Sequence, residues 1–195
     1  MTTPVLEGTR RRLTDRQAEV VRQLVDATAA EVDREGYAGL TVRNVARRAG
    51  VAPATAYNYF SSKDHLLAEL FWRRMTALPP VDTTGGRSMV ERLAETVQMM
   101  VLLTTESPDL VGACTTALLS TTPDVKHLRD RIGGVIHQRI VAALGPGFDP
   151  TIVRVLKSTY SGAVLMAGMG HMAYAEVPVL VADAARLMTG GGAKA

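Results

Sequence analysis

The sequence predicts an all-α protein, and three observations carry that prediction. Hydrophobic residues make up 47% of the 195-residue chain and aromatic ones only 5%. Alanine, valine, leucine and methionine must therefore fill the interior, which suits packed helices better than a β-sandwich. Apolar residues recur at spacings of three and four, and no stretch keeps the two-residue alternation of a strand. The punctuation is also helical: Ser, Thr or Asp, often followed by Pro, opens segment after segment, and Gly or paired Pro closes them.

The elements follow in order. Thr14-Asp15-Arg16-Gln17 has the form of a capping box, with Gln17 reaching back to the Thr14 amide. Val21, Leu24, Val25, Thr28, Ala29 and Val32 then give a first helix over roughly 15–34, ended by "REGYAG". Thr41 caps a second, shorter helix with Val42, Val45, Ala46 and Ala49 inward and Arg43, Arg47 and Arg48 outward, and Gly50 stops it. Pro53 suits the first turn of a third helix that ends near Phe60. Ser61 with Asp64 offers a cap for a fourth, which Leu66, Leu67, Leu70 and Phe71 carry to the break at "ALPP". The stretch 79–87, "PPVDTTGGR", reads as a linker.

Beyond it, Ser88 opens a helix carrying Met89, Leu93, Val97, Met100 and Val101. Ser107-Pro108 opens another through Leu118, and Thr122-Pro123 a third through Leu144. Asp149-Pro150 begins a long helix to about Ala175, and Pro178 a last one to about Met188. The expected organisation is an N-terminal arm and reading head over 1–61, then a helical bundle over 62–195.

Charge is distributed unevenly. The net charge is only +3, but between Gly36 and Lys63 stand Arg43, Arg47, Arg48 and Lys63 with no Asp or Glu, and Arg10, Arg11, Arg12 and Arg16 precede them. From Thr76 onward ten basic residues balance ten acidic ones. A basic excess confined to one end is the footprint of a nucleic-acid-binding surface. The lone Cys114 cannot form an intramolecular disulfide, and "MTTPVLEGTRRRLTDRQ" lacks a signal peptide's apolar stretch, so a cytoplasmic setting is expected. Ser158 to Ala175 carries no formal charge over eighteen residues, yet its three glycines and His171 suit close helix packing better than a bilayer, so no membrane partner is expected.

The stretch "GVAPATAYNYFSSK", Gly50 to Lys63, concentrates hydrogen-bonding side chains on a short helix and excludes carboxylates. The tight turn at Gly50-Val51-Ala52 gives helix-turn-helix spacing, in which the first helix braces against the backbone and the second enters the major groove. Val51, Ala56 and Phe60 hold the third helix down. Pro53, Ala54, Thr55, Tyr57, Asn58 and Tyr59 are left on or beside its outer face, where Thr, Asn and Tyr can donate to phosphate. Arg43, at the start of helix two, can offer a bidentate fork to guanine. Carboxylates on this face would repel phosphate.

Catalysis finds no constellation. Cys114 has no local nucleophile signature, and His65, His127, His137 and His171 do not fall at metal-ligand spacing, so no catalytic residue, metal or cofactor is expected.

The run "GYAGLTVRNVARRAGVAPATAYNYFSSKDHLLAEL" resembles the TetR-like transcriptional regulators. The likeness covers about Thr14 to Phe71 and is carried by Gly36-Tyr37, Thr41, Val45-Ala46, Ala49-Gly50-Val51, Thr55, Tyr57, Phe60, Ser62-Lys63 and Leu66-Leu67. The resemblance implies that Arg43 reads a base edge, that Pro53, Ala54 and Tyr57 face the groove, and that Thr55, Asn58, Tyr59 and Lys63 grip phosphates, with Thr41 heading helix two. Two positions depart from the family's habit: Ala52 stands where a capping serine is common, and Ala54 where glycine is.

The resemblance also implies that the C-terminal part binds an effector and forms a homodimer through its last two long helices. Ala163, Ala167 and Gly170 allow close helix approach, and Leu180, Ala184 and Leu187 add an apolar stripe. Phe71, Trp72, Met99, Met100, Cys114, His137, Tyr160 and Met166 are the candidate lining of an apolar cavity for a small hydrophobic effector. The expected function is a ligand-responsive regulator, a repressor released from a palindromic double-stranded DNA operator by that effector. A constitutive DNA-binding regulator without an effector, or a helical protein–protein adaptor, stays open at this level.

Overall fold

In a computed structural model of the chain, residues 14–102 and 108–190 are described. The run Arg10 to Arg12 and Ser107 at the head of the sixth helix lie outside them. Nine α-helices and one 3₁₀ turn, with no strand, make up the described residues. They are α1 (Asp15–Gly39), α2 (Val42–Arg48), α3 (Pro53–Tyr57), α4 (Lys63–Ala77), α5 (Met89–Leu102), α6 (Pro108–Leu118), α7 (Pro123–Leu144), α8 (Pro150–Gly168) and α9 (Val177–Thr189), the 3₁₀ turn being Tyr174–Glu176.

Local chemistry sets most of the boundaries. The Thr14 box forms as expected: the Thr14 amide donates to Gln17 Oε1 at 2.9 Å, and the Gln17 amide to Thr14 Oγ1 at 3.4 Å. "REGYAG" breaks the helix as expected, and only a short turn to Gly39 follows the break. Gly36 leaves helical geometry at φ 65°, a positive-φ conformation natural to glycine, before the turn over 37–39. The cap of α4 is Ser62, whose Oγ accepts from the His65 amide at 3.1 Å; Ser61 is engaged elsewhere. The eighth helix stops well short of Ala175. Gly170, at φ 79°, lets the His171 amide fold back onto the Met166 carbonyl at 3.0 Å, closing the last turn.

The described residues divide into two compact units, one within 14–74 and 108–131 and the other within 75–102 and 132–190. In the first, α1 packs on α2 and α6, and α2 on α3. Its core joins Val21, Leu24, Val25 and Val32 of α1, Val45 and Ala46 of α2, Ala56 and Phe60 around α3, Leu66 and Leu67 of α4, and Leu110, Ala113, Cys114 and Ala117 of α6. A smaller cluster of Ala68, Val125 and Leu128 packs with Trp72 and Leu118. In the second unit, α9 packs on α5 and α8. Leu93, Val97 and Met100, Ile136 and Ile140, Leu156 and Tyr160, and Val181 and Ala185 are buried there. Arg139 draws in the chain at "ALPP", donating to the carbonyls of Leu78 at 2.7 Å and Pro79 at 2.9 Å. No helix among the described residues is long and apolar enough to cross a membrane.

Candidate nucleic-acid interface

A short helix cannot hold itself in place, so α3 depends on its anchors. Ala56 is 1% exposed and Phe60 fully buried, with Val51 half-buried beside them. The turn from α2 closes through Gly50 at φ 68°, and the Val51 amide donates to the Ala46 carbonyl at 2.9 Å. A Cβ at Gly50 would meet no atom within 4 Å, so the backbone conformation, and not crowding at that atom, makes glycine the fitting residue here.

The anchors fix which residues face outward. Pro53, Ala54, Tyr57 and Asn58 are exposed, Tyr57 by 53%, while Thr55 and Tyr59 are half-buried. Thr41 and Arg43 are exposed at the head of α2, where Thr41 Oγ1 accepts from the Asn44 amide at 3.1 Å. Arg47, also exposed, reaches Asn44 Oδ1 at 3.3 Å. Ala52 precedes α3 without a side-chain cap.

Two carboxylates of the first unit are tied down. Glu31, 1% exposed on α1, accepts from Arg34 and from Arg48 of α2, each at 2.6 Å. Burial raises the Glu31 pKa, but the two guanidinium groups more than offset it and hold the carboxyl below its usual range. Arg48 thus serves to brace α2 against α1. Asp64, at the start of α4, accepts from the Tyr37 hydroxyl at 2.7 Å. Burial, with the Asp64 carboxylate beside it, pushes the Tyr37 phenol up to about 12. The Lys63 ammonium lies 4.0 Å over the Tyr37 ring and donates to the Tyr37 carbonyl at 2.8 Å. Lys63 is therefore turned toward the end of α1, where one of its three donors is used.

Sequence reasoning passed over Glu31 because charge on a helix usually means solvent. The signal was its position three residues after Thr28 and seven after Leu24, on the face that Val21, Val25 and Val32 share. The Ser61–Asp124 contact, 2.9 Å across 63 residues of sequence, had no local signal at all.

The effector candidates are divided between the units. Phe71, Trp72 and Cys114 belong to the first, with Trp72 stacked under Arg131 at 4.1 Å and Cys114 buried in the core. Met99, Met100, His137, Tyr160 and Met166 belong to the second. There Met100 and Tyr160 are buried, and His137 and Met166 are exposed. The second unit also holds a cleft of about 320 Å³ along α5 and α9, lined by Ala94, Gln98, Val101, Tyr174, Pro178 and Arg186 among others. Of the interface candidates, Ala163 and Ala167 are buried within the unit, Ala184 is half-buried, and Gly170, Leu180 and Leu187 are exposed. Among the described residues no group of His, Cys, Asp and Glu is placed to hold a metal ion.

Residues 24–70, which span this head, match the family model of bacterial regulatory proteins of the tetR family. An HTH-type transcriptional regulator of Mycobacterium tuberculosis is 43% identical over 164 residues, or 83% of this chain and 76% of that protein. The HTH-type transcriptional repressor KstR of Rhodococcus jostii is 30% identical over 139 residues, covering 69% of this chain and 64% of KstR. The fold is that of a TetR transcriptional regulator from Rhodococcus sp. RHA1, with a TM-score of 0.73 over 90% of this chain and 97% of that one at 19% identity.

Proposed function

This chain belongs to the tetR family of bacterial regulatory proteins, and from that premise we propose a ligand-responsive repressor that binds a palindromic operator as a homodimer. The observation that carries the reading is the outer face of α3. Tyr57, Asn58, Pro53 and Ala54 stand exposed beside Arg43 and Arg47, while Glu31 and Asp64 are held by hydrogen bonds from Arg34, Arg48 and Tyr37. Such a surface suits a polyanion read through its groove. Arg43 is assigned to a base edge, Pro53, Ala54 and Tyr57 to the groove, and Thr41, Thr55, Asn58, Tyr59 and Lys63 to the backbone. For Lys63 this assignment uses the donors that Tyr37 leaves.

The homodimer is supported by apolar side chains left uncovered on α8, at its C-cap and on α9: Met166, Met169, then Val179, Leu180 and Leu187, the last 75% exposed. A two-fold pair would set two α3 helices about one DNA turn apart. Repression agrees with what the relative KstR is named for. An apolar effector agrees with the methionine-rich second unit, and α4, which follows the reading helix directly in the chain, is the lever through which it would act.

Selection of bound fragments from genomic DNA tests the reading. Enrichment of a shared inverted repeat is the expected result, and the genes beside it would direct a search for the effector. Absence of any enriched sequence from dimeric, folded protein would overturn it.

A further inference from the structure

The turn that follows α3 is held by three side chains with no part in the DNA contacts assigned above. Ser61 Oγ donates to Asp124 Oδ2 at 2.9 Å. The Ser61 backbone amide donates to His65 Nδ1 at 3.4 Å, and the same nitrogen lies 3.4 Å from Ser61 Oγ and 3.9 Å from Asp124 Oδ2. His65 is 7% exposed, and its ring meets that of Phe60 edge-on at 5.1 Å. Asp124 belongs to the first turn of α7 and His65 to the first turn of α4. The end of the reading helix, α4 and α7 thus converge on one small network inside the first unit.

This arrangement requires a neutral ring. A backbone N–H can only donate, so Nδ1 must accept, and the imidazole proton sits on Nε2. A second proton would place a hydrogen on Nδ1 facing that of the Ser61 amide. The bond from the Ser61 amide would be lost, and Nδ1 would turn its new hydrogen on the Asp124 carboxylate.

We propose that Ser61, His65 and Asp124 form a proton-operated latch on the recognition helix. With His65 neutral, the latch ties the turn after α3 to α4 through the Ser61 amide, beside the Ser61 Oγ bond to α7. With His65 charged, the Ser61 amide loses its acceptor and the imidazolium turns to Asp124, so the tie from the turn to α4 opens. Its effect on DNA rests on the DNA-binding reading of α3, whereas the latch itself does not.

Other charged groups border the ring. From α7 it is faced by Asp124. On α4, Glu69 is buried one turn further on and accepts from Arg73 at 2.9 Å, while Lys63 and Asp64 turn to Tyr37.

The sign follows from linkage. If the DNA-bound form needs the closed latch, it binds one proton fewer than the released form. Affinity is then full at higher pH and falls on acidification through the histidine range, about pH 8 to 5. Ordinary electrostatics predicts the reverse, because a more positive protein binds a polyanion more tightly. The direction of the change is therefore diagnostic.

The test has two arms on the full chain. In the first, NMR follows the His65 ring and the Ser61 amide from pH 5.5 to 8. The two should titrate with a common midpoint. Asp124→Asn should move that midpoint to lower pH, and the Ser61 amide should stay still in His65→Asn, whose side-chain oxygen can accept but not protonate. A Ser61 amide that ignores the ring's titration overturns the latch. In the second arm, fluorescence anisotropy follows binding to a fragment selected from genomic DNA. Wild type should weaken by up to about tenfold through the same midpoint, the linkage of a one-unit difference in pKa, and His65→Asn should not. Equal pH profiles for the two proteins overturn the effect on DNA. Should no fragment bind at any pH, the DNA-binding reading fails and the NMR arm alone decides the latch.

Discussion

Glu31 occupies a position on α1 where a carboxylate ought to be a liability, yet its two arginine contacts make it a brace between α1 and α2. Removing one member of a buried ionic group costs more than the group contributes, because the remaining charge loses its partner. Glu31→Gln should therefore lower stability by about 1–3 kcal/mol, the range for hydrogen bonds to charged groups, as measured by urea denaturation. The pKa of Glu31 is depressed in the folded chain, so its contribution is present above the ordinary carboxylate value and is lost as pH falls through the depressed one. The glutamine variant should lack that part of the acid sensitivity. Arg43, exposed at the head of α2, leads to a different expectation. Arg43→Ala should leave the melting temperature near wild type and relax preference at one operator base pair by about 1–3 kcal/mol, read by competition between operator variants. The exposure of Pro53, Ala54, Tyr57 and Asn58 was legible from spacing alone. The partners of Glu31, Lys63 and Ser61 were not, because each lies on another element and sequence spacing carries no record of it.

At the scale of elements, capping chemistry made most helix starts legible. Thr14, Thr41, Ser88 and Asp149 all accept a backbone amide at the head of their helices. The misreadings have physical causes. Ser61 and Ser62 are chemically equal candidates to cap α4; Ser62 takes that place, and Ser61 donates to Asp124 instead. The end of α8 was set by a left-handed glycine, and a sequence with three glycines in that stretch does not say which one turns. Helix α3 is the shortest of the described α-helices, five residues long and without a side-chain cap. Ala52 already has the extended conformation of an N-cap, at φ −61° and ψ 135°. Ala52→Ser should therefore stabilise the head by about 1 kcal/mol through the missing hydrogen bond, visible as a higher melting temperature.

For the whole molecule, composition and periodicity sufficed to give a helical chain. They could not assign α6, which lies beyond the linker in sequence but completes the core of the first unit through Leu110, Ala113, Cys114 and Ala117. Pairing distant segments depends on which apolar faces fit one another, and a single sequence does not display that. The same gap explains why the eight effector candidates fall in two units. Assembly gives the prediction proper to this scale. Leu180→Asp combined with Leu187→Asp places charge on side chains that are 44% and 75% exposed in the single chain. The variant should sediment as a folded monomer at micromolar concentration and lose most of its operator affinity, since each half-site would then be bound alone.

Cys114 is the one cysteine of the chain, 2% exposed, with Sγ 3.9 Å from the Leu67 carbonyl and a thiol that burial pushes up to about 12. It is closed to a modifying reagent until the first unit opens, so the protein carries a built-in clock for its own unfolding. Under conditions where closing outpaces modification, the labelling rate measures the free energy of opening. Any molecule that binds the closed unit must slow that rate by mass action. Thiol protection during a compound screen should thus reveal a ligand of this unit before its operator or its target genes are known.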